Sequence, residues 1–322
     1  MKLNNNLLLS KPNNLSQQEH NTCVVSRGVV NRFFAFLEVA NDTSRTYTSG
    51  IKQFFNFLGK HNIKYPVRED VIAFKKELAY QGKKPATIAL YLSSIRRFFT
   101  WCESENIYPN ITAGIKSPKQ DKGHKRDYFS GSQIKSILND ISRDKLEGLR
   151  NYAIMLLIST GGLRTIEIAR ANVEDIRNIA GTTCLYIQGK GRTDKKDFVK
   201  LAPKTEQAIK EYLKARGHVK GNAPLFASCS KRNNGQRLTT RSISRICKTA
   251  MLNAGFNSLR LTAHSLRHSA ITLSIMGGLK IEEVQQFARH SSINTTMIYN
   301  HAFNRMKSLC ENTIERAIFS LN

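Results

Sequence analysis

Four short stretches in the second half of the chain carry side chains suited to phosphate chemistry. In Thr160-Gly-Gly-Leu-Arg164-Thr-Ile-Glu167, two glycines stop an apolar helix and an arginine follows the break. Arginine grips a phosphate through two parallel N–H donors, although Gly-Leu-Arg alone recurs by chance in many proteins. In His264-Ser-Leu-Arg267 the imidazole and guanidinium stand three residues apart. On a helix that spacing puts both on one face, within reach of one small anion. The ordinary alternative for such a histidine is capping or packing. His264 and His268 also have the i, i+4 spacing of zinc ligands, but no Glu lies between them and no outlying ligand is evident. In Ala288-Arg-His290-Ser-Ser-Ile-Asn-Thr-Thr-Met-Ile-Tyr299, a histidine precedes a Ser-Ser turn and Asn294 and Thr295 cap a short helix. The tyrosine falls on that helix's second turn. A lone tyrosine is more ordinarily a packed ring with a satisfied hydroxyl. Gly189-Lys190-Gly191 sets a lysine on a hairpin tip, either swinging towards a phosphate or simply solvated.

The elements that must position these groups are read from apolar spacing. Residues 1–20, rich in Asn, Gln and Ser, read as a flexible N-terminal arm. Phe33, Phe34 and Leu37 form one helical stripe. Thr43 to Thr46 offer caps for a helix carrying Tyr47, Ile51, Phe54, Phe55 and Leu58. A third helix runs from Glu69 to Tyr80. A fourth opens at Pro85 and continues through Ile88, Leu92, Ile95, Phe98 and Phe99. These make an all-α unit over 21–113, followed by a basic linker over 114–127 and a second unit over 128–322. In the second unit, helices are expected at 131–142, 147–159, 205–216, 240–254, 264–276, 281–289 and 294–300. A last helix over 304–319 carries Met306, Leu309, Ile314 and Ile318. Strands at 184–188 and 197–201 flank the basic hairpin.

Composition narrows the partner. The 322 residues hold 50 Lys and Arg against 24 Asp and Glu, a formal net charge of +26. Such an excess repels itself unless a polyanion neutralises it, and nucleic acid is the favoured partner over a membrane surface. Six cysteines (Cys23, Cys102, Cys184, Cys229, Cys247, Cys310) include no C-x-x-C pair, so reduced thiols are expected rather than a zinc knuckle or disulfide framework. The N-terminus lacks a signal-peptide apolar region, and the longest apolar run, Ala153 to Ile158, is far too short to span a membrane. A cytoplasmic location is expected.

Taken together, Arg164, the hairpin Lys190, His264-x-x-Arg267, His290 and Tyr299 nine residues on resemble the tyrosine recombinase family, which includes lambda-type integrases, Cre and the Xer chromosome-dimer resolvases. The resemblance covers nearly the whole chain. It implies a mainly α fold with a small β-sheet: an N-terminal all-α core-binding (SAM-like) domain and an α+β catalytic domain. It also implies roles. Tyr299 matches the nucleophile that forms a 3′-phosphotyrosyl link, and Arg164 and Arg267 match the pair on the non-bridging oxygens. Lys190 matches the acid for the leaving 5′ oxygen, with Lys195 or Lys196 as a fallback because the hairpin is slightly long. His264 matches an acid/base near the tyrosine proton, His290 a hydrogen-bond donor to the phosphate, and Glu167 an orienting acid. Relatives usually carry Gly where this chain has Arg289.

Neither metal nor nucleotide is implied. The implied partners are double-stranded DNA with specific recombination sites and a homo-tetramer on that DNA, or a hetero-tetramer with a related recombinase. The terminal helix would dock into a neighbouring protomer or fold back on its own domain. Lys52, Lys83, Lys84, Arg96, Arg97, Arg241 and Arg245 are DNA-contact candidates. Integration and excision of a mobile element is the expected task, with dimer resolution as alternative. A DNA-binding regulator without chemistry and a type IB topoisomerase are the other classes.

Overall fold

The computed structural model describes residues 8–9, 23–24, 27–37, 41–119, 128–189, 194–307 and 309–319. The chain divides into two compact units, 1–122 and 123–322. In the first, Leu8–Leu9 (β1) pairs antiparallel with Cys23–Val24 (β2), so part of the expected arm is strand; the rest of it lies outside the described residues.

Four helices build the first core: Arg27–Leu37 (α1), Asn41–Lys60 (α2), Arg68–Tyr80 (α3) and Pro85–Ser104 (α4). α4 starts on a proline, whose missing N–H would be unpaired there anyway. It buries Ile88, Leu92, Ile95, Phe98, Phe99 and Trp101 along one stripe. Helix α2 begins at Asn41, so Thr43 and Thr46 lie inside it rather than before it. Phe54 stands edge-on to Phe74 and Phe99, with ring centroids 5.3 and 6.0 Å away. α2 approaches α4 through Gly50, where a Cβ would fall 2.5 Å from Ser94 Oγ.

The second unit begins with Gly131–Asn139 (α5), whose Ser130 cap accepts from Gln133 N while Gln133 Oε1 accepts from Ser130 N. Leu146–Gly161 (α6) is buried on every side from Ala153 to Ile158, which makes it the axis of the larger core. It packs on Pro203–Arg216 (α8) and Ala263–Met276 (α10). Three elements were not expected: Thr165–Arg170 (α7), a short 3-10 turn at Val173–Asp175 and Ile176–Ile179 (β3). β3 pairs antiparallel with Thr182–Ile187 (β4), which pairs with Asp197–Lys200 (β5), giving a three-stranded sheet in order β3-β4-β5. Thr240–Asn253 (α9) and Ile281–Ala288 (α11) match expectation to within a residue.

The C-terminal expectation is corrected. No break follows Tyr299: Ile293–Lys307 (α12) runs on, and a separate Cys310–Phe319 (α13) follows. Residues 299–304 contain neither Gly nor Pro, so nothing there stops a helix. Leu309, Ile314 and Ile318 are exposed, and the Met306 side chain lies outside the described residues.

Candidate active site

The site is assembled where helices α6 and α11 end. Helix α6 stops at Gly162, which takes the left-handed conformation (φ +59°). Glycine is required there twice over, since an added Cβ would also meet the Phe287 ring at 3.0 Å. Helix α11 stops at Arg289, also left-handed (φ +53°), a conformation that costs a non-glycine residue about 1 kcal/mol. The two turns present the carbonyls of Gly162 and Ala288 to one point, and Arg267 Nη1 and Nη2 donate to them. Arg267 comes from α10 and is 2% exposed. Its acceptors are neutral carbonyls at the electronegative ends of two helices, which favour a cation without cancelling its charge.

Arg164 caps α7. It donates from Nη1 to Glu167 Oε1 at 2.8 Å and from Nη2 to the Arg289 carbonyl at 3.2 Å. Glu167, fully buried, accepts the Arg164 backbone N–H at 2.8 Å on its other oxygen. The Arg289 side chain folds inward: Nη1 donates to Phe287 O at 2.7 Å, and Nη2 to Gly162 O at 2.9 Å and Glu167 Oε2 at 3.1 Å. Its Nε is buried without an acceptor among the described residues. Two guanidiniums, those of Arg164 and Arg289, therefore share the Glu167 carboxylate, with that of Arg267 held by carbonyls beside them. Burial alone would raise the Glu167 carboxyl, but Arg289 and Arg164 outweigh it and hold it below the usual carboxylate range. Burial, reinforced by Arg164 and Arg289, pushes Arg267 down to about 9, so it stays a cation at neutral pH. Burial likewise lowers Arg289.

Tyr299 lies on α12, 7% exposed, packed with Ile271, Ile275, Val284 and Ala288. Its ring stacks on His290 (centroids 6.3 Å) and tilts against His268 (5.0 Å), which meets His264 edge-on at 4.7 Å. The phenol is thus buried yet beside the cluster, near enough that its ionised form would favour the Arg267 cation. His290 Nδ1 lies 2.9 Å from Thr296 Oγ1. Burial, followed by the three nearby arginines, pushes this imidazole down to about 4. His264 is exposed in the first turn of α10.

Arg164, Arg267, His264, His290 and Tyr299 are therefore brought together, with Glu167 beneath them. Lys190 lies outside the described residues. Of its fallbacks, Lys195 is held by the buried Asp175 Oδ2 at 2.5 Å, while the exposed Lys196 pairs with Asp194 at 2.9 Å. Three neighbours went unassigned from sequence: His268, Thr296 and the Arg289 side chain. His268 shows the i, i+4 spacing to His264, considered there only for zinc. Among the described residues no group of three or more His, Cys, Asp or Glu could hold a metal.

The DNA-contact candidates divide. Lys52, Lys83, Lys84, Arg241 and Arg245 are exposed. Arg96 donates to the Ile115 carbonyl at 2.9 Å, and Arg97 lies over the Phe36 ring. Among the described residues, no helix is long and apolar enough to cross a membrane.

Comparison with known proteins decides the family. The model of the phage integrase family matches residues 127–306, and that of the phage integrase N-terminal SAM-like domain matches 30–106. The chain belongs to the phage integrase family. This integrase-family chain is 28% identical to a tyrosine recombinase of Synechocystis sp. over 91% of its own length and 94% of the relative's. It is 29% identical to tyrosine recombinase XerD of Oceanobacillus iheyensis (88% and 97% covered). It is 32% identical to XerC of Haemophilus influenzae (69% and 72%). Among solved structures, XerH bound to a palindromic difH substrate superposes with TM-score 0.70 at 23% identity, over 85% of this chain and 80% of that one. A lambda integrase dimer on a COC′ core site gives 0.65 at 17%, covering 83% and 96%. The chain is an enzyme of the tyrosine recombinase class, mostly helical with a small sheet, and its two parts have the SAM-like and catalytic folds.

Proposed function

We propose that this integrase-family chain is a site-specific DNA recombinase that cleaves and rejoins duplex DNA through a 3′-phosphotyrosyl link on Tyr299, for integration and excision of a mobile element. The observation that carries this reading is the arginine cluster beside a tyrosine: buried Arg267, nearly buried Arg289 and half-buried Arg164 stand about one buried carboxylate and leave an unmet demand for an anion near the phenol.

In the reaction, Tyr299 Oη attacks the scissile phosphorus, the P–O5′ bond breaks, and the strand leaves as a 5′-hydroxyl. Arg164 and Arg267 bind the non-bridging oxygens, where charge grows in the transition state. Lys190, on its hairpin, delivers the proton to the leaving oxygen, and His264 handles the tyrosine proton. His290 is neutral near pH 7; in the tautomer where Nδ1 accepts from the Thr296 hydroxyl 2.9 Å away, it offers Nε2–H to a phosphate oxygen. The ester bond to tyrosine retains the phosphodiester energy, so a second 5′-hydroxyl can attack it and exchange strands. A tetramer on paired duplexes, in the cytoplasm, is the expected assembly. The helical unit (21–113) and the catalytic unit (128–322), joined by the basic 114–127 stretch, would grip DNA together, with exposed Lys52, Lys83, Lys84, Arg241 and Arg245 on phosphates.

A second reading, resolution of chromosome or plasmid dimers, is favoured by the XerC and XerD names of relatives aligned over most of their length. Recombination sites flanking an inserted segment that carries the coding sequence would favour integration, whereas one site on the host chromosome would favour resolution.

The chemistry is tested by covalent capture on nicked duplexes randomised across the site. The wild-type chain is expected to retain DNA through denaturation. Tyr299→Phe is expected to bind the same duplexes and retain none, and persistent capture by that variant would show the nucleophile is misassigned.

A further inference from the structure

Arg289 occupies a position that disfavours it on two counts. Its backbone is left-handed, and its side chain, 10% exposed, carries a charge into the interior. Glycine would satisfy the backbone without either cost. What the guanidinium does there is therefore the question. Among the described residues its hydrogen bonds all lead inward. Its two Nη atoms go to Glu167 Oε2, the Gly162 carbonyl and the Phe287 carbonyl. The first two are shared: Glu167 is also the partner of Arg164, and Gly162 O also accepts from Arg267. The Arg289 guanidinium thus touches the fixed partner of each phosphate-binding arginine, while its backbone carbonyl accepts from Arg164.

The charge count gives this arrangement a consequence. With glycine at 289, the cluster would hold Arg164 and Arg267 against Glu167. With arginine, it holds three cations, Glu167 divides its field between two of them, and the more distant Asp197 carboxylate acts on Arg289 without a hydrogen bond to it. The cation left over cannot be screened by solvent, because the cluster is largely buried. We propose that Arg289 is a positioning residue of the recombination site, which engages Glu167 and the Gly162 carbonyl so that Arg164 and Arg267 meet the scissile phosphate fixed in place and with their charge less offset. This rests on the reading of Tyr299, Arg164 and Arg267 given above. Arg289 acts through those two arginines, and chiefly on the step in which the phosphorane gains negative charge.

The test separates charge from architecture. A nicked duplex is first recovered by covalent capture on the wild-type chain from the randomised library. It is then prepared in two forms, with a normal scissile phosphodiester and with a neutral methylphosphonate in its place. In both, Tyr299 Oη bonds to phosphorus and the 5′ oxygen leaves, but the methylphosphonate transition state carries one negative charge less. Arg289→Gly relaxes the backbone and keeps the carbonyl that accepts from Arg164, so it removes the guanidinium alone. At saturating DNA its capture of the phosphodiester is expected to slow on the order of tenfold or more, with DNA affinity changed less than about twofold. On the methylphosphonate it should stay close to wild type. Equal slowing on both substrates would reduce Arg289 to a structural prop, and no slowing on either would remove it from the mechanism; both outcomes overturn the proposal. Should Arg289→Gly not fold, Arg289→Lys and Arg289→Met, alike in backbone strain, read the same contrast: the methionine variant alone should lose the phosphodiester preference. Failure of the wild-type chain to capture any duplex is a different result. It would remove the Tyr299 reading and this inference with it.

Discussion

Replacing Gly162 by alanine tests how far the arginine cluster depends on one backbone carbonyl. Gly162 closes α6 at φ +59°, and its carbonyl accepts from both Arg267 Nη1 and Arg289 Nη2. A Cβ there meets Cε1 and Cζ of Phe287 at 3.0 Å, so either the ring or the turn must give. Left-handed backbone costs an L-residue about 1 kcal/mol, and pressing a methyl against a ring held in α11 adds about 1–2 kcal/mol. A loss of about 2–3 kcal/mol lowers the unfolding midpoint of a unit of this size by roughly 4–12 °C. The catalytic effect comes from displacement rather than instability. A carbonyl moved by a few tenths of an ångström takes Arg267 with it, and misplacement on the ångström scale costs about a hundredfold in rate. Well below the new midpoint, with DNA saturating, covalent capture on a nicked duplex should therefore slow about tenfold. Scanning calorimetry gives the midpoint and single-turnover capture gives the rate. A destabilised variant that captured DNA at the wild-type rate would refute the positioning role of the carbonyl, and an unchanged midpoint would refute the steric reasoning.

Three further outcomes follow from the same contacts. His290 should titrate near pH 4 in the folded chain, whereas an unfolded histidine takes its proton near 6.5; the unfolded chain binds more protons in that interval, so stability should fall as pH drops from about 6.5 towards 4. A ring titration followed by NMR with a midpoint near 6.5 would contradict the burial argument. Glu167→Gln removes the carboxylate shared by Arg164 and Arg289, and by analogy with broken buried pairs should cost about 3 kcal/mol. Because its folded carboxyl is held below the usual range, that contribution is present above about pH 4.5 and fades as pH falls through the folded value; denaturation curves of both chains should converge in acid, and parallel curves would count against the pairing. Gly50→Ala places a Cβ 2.6 Å from Ser94 Cβ and 3.1 Å from Tyr91 Cα, a clash worth about 1–3 kcal/mol that exceeds the helix propensity gained. The single tryptophan, Trp101, lies in that core and should report a lower urea midpoint, whereas a higher one would show that α2 and α4 separate freely.

Sequence and structure agree where burial is periodic. Helix α4 announces itself because Ile88, Leu92, Ile95 and Phe99 must all face one core, and α6 because six apolar residues in a row cannot face water. Helix α7 was missed for the opposite reason. It has six residues, too few to display a period, and it exists to turn Arg164 and Glu167 towards each other. Strand β3 is exposed over three of its four residues, so its pairing with β4 leaves no apolar alternation to read. The site was legible as an order of residue types, and the structure adds how they are held. Arg289 stood out in the sequence as a departure from the usual glycine, but sequence alone does not show its side chain folding back onto Glu167 from a left-handed turn.

The way Arg267 is held explains why so costly a group is stable enough to wait for substrate. A buried guanidinium is usually matched by a carboxylate. Among the described residues, Arg267 instead donates to the carbonyl ends of α6 and α11. Carbonyl dipoles fix the direction of its N–H groups and recover part of the desolvation cost, yet leave its net charge intact. A carboxylate in their place would hold the arginine more tightly in the free protein, but it would have to be displaced, or repelled, when a phosphate arrived. Glu167 escapes that conflict because it is wholly buried and faces Arg164 and Arg289 instead. The cluster is thereby ordered before DNA binds while its attraction for an anion is still unspent. That combination makes a preorganised electrostatic site effective at the moment charge develops on phosphorus.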